Sequence, residues 1–295
     1  MKSLLSFAFV AVSITFMSCQ NSESGIGEMK GGRSTSIQTM NDSAIMGESP
    51  FGITNASKDV LSELSYAMLS ANFVDRAIHN EDVTKHLAIF KSMNPDKLED
   101  QLKTDALRRC FWINVYNGYT QYFLKKDPSL YKKDRSDFFK KDQIEIAGFT
   151  INMNDIEHGV LRRGATIWSK GYIRIPFRNE FVRKFKVDKV DWHIHFALNC
   201  GAKSCPPICV YLPERVDEQL DKAAASYLKK ECSFNKKDNS VKVPALMTWF
   251  SADFGDTNAK LDILRKYGII PADSNPSIDY KDYDWDMDIV NYKQF

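Results

Sequence analysis

The sequence lacks a surplus of charge of either sign. Its 295 residues include 40 Lys and Arg against 38 Asp and Glu, which gives a formal net charge of +2 at pH 7. The basic residues come in short, scattered runs such as Lys125-Lys126 and Lys140-Lys141. Because binding to a phosphate backbone needs clustered positive charge, this composition argues against nucleic acid as a partner.

The sequence also has no apolar run long enough to cross a bilayer as a helix. The longest, Leu4 to Phe16, has 13 residues and follows the positive charge of Lys2, a pattern typical of a signal-peptide core. It ends in Phe-Met-Ser-Cys, which resembles a bacterial lipobox. We therefore predict a lipoprotein signal peptide over residues 1–18 and an acylated Cys19 that anchors the protein to a membrane outside the cytoplasm. A secretory signal cleaved elsewhere is the alternative.

Cysteine is scarce. The chain has six, and acylation of Cys19 would leave five: Cys110, Cys200, Cys205, Cys209 and Cys232. Disulfides persist outside the cytoplasm, but five thiols cannot all pair within one chain. At least one must stay free, bind a metal or pair with another chain.

The first part of the mature chain, residues 19–55, is rich in Ser, Gly and Asn and has no sustained apolar periodicity. Such a segment predicts a flexible tether, followed by one globular domain over residues 56–295. Apolar periodicity there indicates an α+β fold, mostly helical with a small β-sheet. The predicted helices cover about 57–78, 96–127, 154–163, 213–228, 246–253 and 258–267, and the predicted strands 143–146, 149–151, 191–198 and 208–212. The tail YKDYDWDMDIV alternates apolar and acidic residues, which favours an extended segment packed over the core.

The stretch NDIEHGVLRR carries a candidate acid/base group. His158 and Arg162 are i,i+4 neighbours on a predicted helix, and Glu157 precedes the histidine directly. A carboxylate, an imidazole and a guanidinium together can hold and move protons. The alternative is structural, because Asn154 followed three residues later by Glu157 is close to a helix-capping pattern.

The stretch FWINVYNGY places two amides among aromatic residues. Asn114 and Asn117 fall on one helical stripe with Cys110, and asparagines buried in this way need definite hydrogen-bond partners. They could orient a catalytic imidazole or donate to an oxyanion. Equally, they could form a polar network that holds a loop in place.

The stretch HIHFALNCGAKSCPPICV allows three interpretations. His193 and His195 share a face of the predicted strand and could bind zinc with Cys200 and Cys205. The two cysteines could instead form a disulfide across their short loop. In the third interpretation Cys200 is a nucleophile, activated by His195 or His158, and Gly201 lets the backbone approach a substrate closely.

Four motifs together, FWINVYNGYT, DIEHGVLRR, HFALNCGAKSCPP and DYDWDM in this order, resemble the domain of unknown function 547 family. Members of that family occur as bacterial lipoproteins, as secreted proteins and within plant and nematode multidomain proteins. The resemblance implies one shared pocket built from Asn114, Asn117, Glu157, His158, Arg162, His195, Cys200, Ser204 and Cys205. Plant members carry serine at the position of Cys205, and some lack a thiol at that of Cys200. A distant similarity to the papain and transglutaminase group is an analogy of fold, with the order of His158 and Cys200 permuted.

From these residues we expect an envelope lipoprotein with a cysteine-dependent hydrolase or acyl transferase activity on a peptide or amide, without a cofactor. Cys200 would be the nucleophile, His158 the base and Glu157 the carboxylate that orients it. Asn114 or Asn117 would give amide support, and His195, Arg162, Ser204 and Cys205 would surround the site. The alternative is a non-enzymatic envelope module that binds a peptide or protein partner through the same pocket.

Overall fold

The computed structural model describes residues 58–133 and 135–295. The predicted signal peptide over residues 1–18, the predicted lipid attachment at Cys19 and the predicted tether over residues 19–55 lie outside the described residues. In the described part, no helix is both long enough and apolar enough to cross a membrane.

Helices dominate the described chain. Seven precede the first strand: α1 (Lys58–Glu63), α2 (Tyr66–Ile78), α3 (Thr84–Ser92), α4 (Pro95–Gln101), α5 (Asp105–Lys126), α6 (Ser129–Lys133) and α7 (Arg135–Lys140). Further along come a π-helix (Asp155–Leu161), α8 (Glu180–Phe185), a 3-10 helix (Trp192–Phe196), α9 (Val216–Glu231), α10 (Leu246–Trp249), α11 (Ser251–Phe254) and α12 (Thr257–Lys266).

The strands form two small sheets. β1 (Ile144–Ile146) and β2 (Phe149–Ile151) make a hairpin through Ala147 and Gly148, both with positive φ, as a tight two-residue turn requires. In the second sheet β4 (Ser240–Val243) pairs antiparallel with β3 (Ser233–Asn235) and parallel with β5 (Ser277–Tyr280). The predicted α+β class, mostly helical with little sheet, is confirmed.

Helix α5 is the centre of the main core. Every residue from Cys110 to Gln121 is buried, as expected of a helix that is surrounded by protein on all sides. It lies along α2, and a Cβ added at Gly118 would come within 2.4 Å of the Phe73 ring. The glycine therefore sets how closely the two helices approach. Polar side chains on α5 can then reach the backbone of distant segments.

Caps explain why the predicted helix over 57–78 divides in two. The Ser65 side chain accepts a hydrogen bond from the backbone N–H of Met68, and so starts α2 afresh after α1. Thr104 caps α5 in the same way through Leu107, which separates α5 from α4. The single break expected in the region 96–127 is confirmed.

The strand predicted over residues 191–198 is wrong, because this segment forms a 3-10 helix. The Asp191 side chain accepts from the backbone N–H of His193 at 3.1 Å and starts the helix. With three residues per turn, His193 and His195 point in different directions. Ile194, His195 and Phe196 are all buried, so the apolar alternation that suggested a strand is not a one-sided burial pattern.

The strand predicted over residues 208–212 is also absent, apart from one isolated bridge between Ile208 and Tyr292. Ile208 and Val210 are buried against α2, and the backbone of Tyr211 bonds to the side chain of Asn114 rather than to a strand. A short apolar run indicates burial, but it does not fix the backbone conformation.

The C-terminal part was predicted in part only. The helices over 246–253 and 258–267 are present as α10, α11 and α12, whereas the sheet β3-β4-β5 was missed. After β5 the tail runs back over the loop that carries Cys200. Backbone N–H groups of Lys203 and Ser204 donate to the carbonyls of Asp286 and Asp284 at 2.7 and 3.2 Å.

Candidate functional site

A cleft of about 440 Å³ brings together residues from separate sequence motifs. Its walls are mostly aromatic and aliphatic, with Tyr116, Phe139, Ile167, Trp168, Leu198, Pro206, Leu246, Trp249, Phe250, Tyr283 and Trp285. Its polar lining is Asn154, Glu157, His158, Lys170, His195, Cys200 and Cys205. An apolar cleft with a few convergent polar groups is the usual form of a ligand site.

Cys200 and Cys205 face each other in this cleft as free thiols. Their sulfur atoms lie 2.7 Å apart, and the Tyr283 hydroxyl lies 3.1 Å from the Cys205 sulfur and 3.6 Å from the Cys200 sulfur. The hydrogen bond from Cys205 lowers the pKa of Cys200, and bonds from Tyr283 and the backbone of Ala202 act in the same direction against burial. Burial, together with the neighbouring Cys200, raises the pKa of Cys205. Of the two thiols, Cys200 is therefore the one whose thiolate form is favoured.

Two buried asparagines hold the cysteine loop. The Asn117 side chain donates to the carbonyl of Ala197 and accepts from the backbone N–H of Asn199, both at 2.9 Å. Asn199 in turn donates to the carbonyl of Pro206 and accepts from the N–H of Gly201, both at 2.8 Å. The short loop thus turns back on itself and places its two sulfurs side by side.

Asn114 and Asn117, expected as catalytic amides, both lie outside the cleft lining. Asn114 donates to the carbonyl of Tyr211 at 2.8 Å and accepts from its N–H at 3.0 Å. Both amides satisfy backbone groups of segments that flank the site. Ser204 is similar: its hydroxyl accepts from the N–H of Asp284 at 2.9 Å and so fixes the tail. These three residues position the site rather than face a substrate.

His158 lies in the cleft, but its ring makes no hydrogen bond with Cys200 in the described structure. The Arg162 guanidinium donates to Nδ1 of His158 at 2.9 Å. An arginine can only donate, so Nδ1 is the acceptor and the proton of the neutral ring is on Nε2. Burial lowers the pKa of His158 to about 4, despite the nearby Glu157. At neutral pH the residue is therefore a hydrogen-bond donor through Nε2, which departs from the expected role of base.

Glu157 does not cap a helix. Asn154 makes no side-chain capping bond, and Glu157 Oε2 accepts from the Tyr116 hydroxyl at 3.1 Å. Glu157 Oε1 lies 3.7 Å from Nδ1 of His158. Through Tyr116, helix α5 therefore holds the carboxylate at the cleft beside the imidazole. The π-helix sets the i,i+4 pairing of His158 with Arg162.

Asp253 was missed in the sequence and proves to be the main charge of the site. Its side chain is fully buried and accepts from Arg162 Nε at 2.5 Å, Arg174 Nη2 at 2.6 Å and His195 Nε2 at 2.8 Å. Although burial opposes ionisation, the bond from His195 and the Arg162 guanidinium keep the pKa of Asp253 well below its ordinary range. Its signal in the sequence is slight: one acidic residue between Ala252 and Phe254.

His195 is held by Asp253 on one side and by an aromatic ring on the other. Its imidazole stacks on Phe250 with ring centres 4.0 Å apart, and Arg162 lies 4.6 Å from the centre of the same phenyl ring. Burial lowers the pKa of His195. His195 therefore lines the cleft as a neutral ring whose Nε2–H is used by Asp253.

The four residues of the alternative zinc site, His193, His195, Cys200 and Cys205, are not gathered. His193 bonds through Nδ1 to Asp191 at 2.5 Å and through Nε2 to the Tyr267 hydroxyl at 3.3 Å, on the other side of the 3-10 helix from His195. Within residues 58–133 and 135–295, no group of three or more His, Cys, Asp or Glu side chains is placed to hold a metal ion.

The buried histidines make stability depend on pH. The pKa of His158 and that of His86 are each lowered to about 4 by burial, whereas an unfolded histidine titrates near 6.5. The unfolded state therefore binds protons more tightly. The contribution to stability is complete above about pH 6.5 and is lost as pH falls towards 4, by up to roughly 3 kcal/mol per residue.

We expect His158→Gln and His86→Gln each to reduce the decrease in the free energy of unfolding, measured with urea, between pH 7 and pH 5. An unchanged loss in both variants would contradict neutral burial.

No curated protein and no solved structure matches the chain. Residues 91–228 match the model of a family described as "Protein of unknown function, DUF547". The matched range contains Asn114, Glu157, His158, Cys200 and Cys205. It ends before the buried Asp253 and before Tyr283, which lines the cleft. Over residues 91–228, the chain is similar to the DUF547 family.

Proposed function

We propose that the protein is a thiol-dependent acyl transferase or hydrolase that acts on a peptide or amide carbonyl, with Cys200 as the nucleophile. The observation that supports this most strongly is the Cys200 sulfur itself. It lines an apolar cleft and lies 2.7 Å from the Cys205 sulfur and 3.6 Å from the Tyr283 hydroxyl, two groups that can donate hydrogen bonds to it. A thiolate is the nucleophilic form of cysteine, and such donors stabilise it near neutral pH.

The surrounding groups fit the steps of acyl transfer. The Cys200 thiolate adds to the carbonyl carbon, and the negative charge that develops on the oxygen needs a donor. The Nε2–H of neutral His158 supplies one from the cleft wall. As the C–N bond breaks, the departing amine takes the proton of the Cys205 thiol, which lies beside Cys200. Water then adds to the thioester and returns a proton to Cys205, while Cys200 leaves as thiolate.

The cleft lining favours an apolar acyl group. Trp168 is 75% exposed and Ile167 56% exposed, yet both line the opening. Their loop, 164–178, is held in place by backbone bonds from Thr166 to Ile173 at 2.9 Å and from Ile175 to Gly164 at 2.8 Å. Exposed aromatic side chains on a fixed loop are the usual anchors for a bound apolar partner. We therefore propose an apolar side chain next to the scissile carbonyl.

A binding module without catalysis is the second candidate, and the network around Asp253 favours it. Arg162, Asp253 and His195 are almost completely buried and mutually bonded, which also suits a rigid scaffold. The two candidates differ in one observable property, the formation of a covalent acyl intermediate on Cys200.

To test the acyl transferase, the reduced protein is mixed with a p-nitrophenyl acyl ester, whose leaving group needs no added proton. We expect release of nitrophenolate and an acyl adduct on the peptide that contains Cys200, read by mass spectrometry. Cys200→Ser should form no adduct, and His158→Gln should slow its formation by roughly 10²-fold through loss of the oxyanion donor. Cys232→Ser, outside the cleft lining, is the matched control. Absence of an adduct in the folded wild-type protein would favour the binding module.

We further propose that the protein is a lipoprotein of the cell envelope, attached to a membrane through acylated Cys19. The support comes from the sequence: the positive Lys2, the apolar run from Leu4 to Phe16 and the small residue before Cys19. A lipid anchor would keep the cleft on the outer side of the inner membrane or on the outer membrane. A peptide or a partner protein would meet it there.

The anchor has its own test. Radiolabelled palmitate fed to cells that express the full chain should enter the protein, and Cys19→Ala should abolish the label and release the protein from membranes. Cys232→Ala should retain the label, because it leaves the lipobox intact. Unlabelled, soluble wild-type protein would contradict the anchor.

A further inference from the structure

We infer that Cys200 and Cys205 are a reactive dithiol that exchanges with disulfides, with Cys200 as the attacking thiol and Cys205 as the resolving thiol. This activity goes beyond acyl transfer and does not require it. The substrate class is a disulfide, of a peptide or of a small thiol compound, that enters the same cleft.

The first observation is that the two sulfurs are distinct from the other described cysteines. Cys200 and Cys205 lie 2.7 Å apart and both line the cleft. In contrast, the Cys110 thiol donates to the carbonyl of Tyr211 at 3.3 Å, and Cys209 is fully buried next to Val210. Of these four thiols, only the cleft pair combines a neighbouring sulfur with access to a ligand.

The second observation is that the pair is held face to face by its backbone. The Cys200 N–H donates to the Cys205 sulfur at 3.1 Å, and Asn199 ties both ends of the loop together through Pro206 and Gly201. Gly201 has φ +87° and a Cβ there would lie 2.6 Å from the Leu124 side chain. The loop is therefore preorganised, and a preorganised second thiol reacts far faster than one from solution.

The exchange balances with a disulfide as the oxidant. The Cys200 thiolate attacks one sulfur of a disulfide RSSR, an S–S bond forms between Cys200 and that sulfur, and RS⁻ leaves and takes a proton from solvent. Cys205 then loses its proton to solvent and attacks the Cys200 sulfur, which releases the second RS⁻. Two protein thiols are oxidised to one disulfide, and RSSR is reduced to two thiols. The reverse sequence reduces the protein and oxidises a dithiol substrate.

The electrostatics of the pair order the two steps. In the resting state the Cys200 thiolate discourages ionisation of Cys205, which burial also opposes. Once Cys200 is part of a mixed disulfide, its negative charge is gone, and the Tyr283 hydroxyl 3.1 Å from Cys205 is free to stabilise the second thiolate. The resolving thiol is thus released for reaction by the first step itself.

The test uses glutathione disulfide with the reduced full-length protein, followed by acid quenching, alkylation and peptide mass spectrometry. We expect wild type to form a Cys200–Cys205 disulfide and to release two glutathione molecules per protein without a lasting adduct. Cys205→Ser should stop at a glutathione adduct on Cys200, and Cys200→Ser should react at least about tenfold more slowly. Cys232→Ser is the matched control and should behave as wild type.

Three outcomes would overturn the inference: no disulfide in wild type, complete resolution in Cys205→Ser, or reaction of Cys200→Ser at the wild-type rate. The ester assay separates this result from the proposed acyl transfer. If wild type is acylated but does not exchange with glutathione disulfide, only the dithiol inference is contradicted. If wild type exchanges but is not acylated, only the proposed acyl transfer is contradicted.

Discussion

The arrangement of the cleft depends on one buried charge, the carboxylate of Asp253. A carboxylate without exposure to water is costly unless donors surround it. Here the donors come from three separate segments: Arg162 at the end of the π-helix, Arg174 in the 164–178 loop and His195 in the 3-10 helix. One ionised group therefore fixes the relative positions of the segments that form one side of the cleft. Removal of Asp253 itself would leave the buried Arg162 guanidinium without its charged partner, at a cost of about 3–5 kcal/mol.

The Asp253 carboxylate also fixes, through Arg162, which ring nitrogen of His158 carries the proton. Asp253 orients Arg162, and Arg162 donates to Nδ1 of His158, which places the ring proton on Nε2 at the cleft. The packing of the backbone at position 171 against Arg162 requires a glycine. Gly171 has φ +90°, and a Cβ there would lie 2.5 Å from Arg162 Nη2. On the opposite wall Asn117 and Asn199 hold Cys200. The proposed oxyanion donor and the proposed nucleophile are thus held at the cleft by two separate networks.

What the sequence could predict was local. The β1–β2 hairpin, the break before α5 and the contact between His158 and Arg162 follow from turn residues, caps and helical spacing. The 3-10 helix at His193 and His195 was mistaken for a strand, because both patterns place apolar residues two apart over a short run. Asp253 could not be assigned, since its partners are distant in the chain and it stands in no recognisable motif. Tyr283 lies in the motif DYDWDM, but its contact with the two cysteines depends on the fold. The proton position on His158 required knowledge of which nitrogen faces Arg162.

The central claim is that Cys200 is a thiolate because Cys205 and Tyr283 donate to it. The most direct measurement is the thiolate ultraviolet absorbance of the reduced protein as a function of pH, with Cys200→Ser subtracted to isolate the Cys200 signal. We predict a pKa for Cys200 below the ordinary thiol value of about 8.5, with upward shifts in both Tyr283→Phe and Cys205→Ala. A Cys200 thiol that titrates in the ordinary range in wild type, and that neither substitution moves, would contradict the claim.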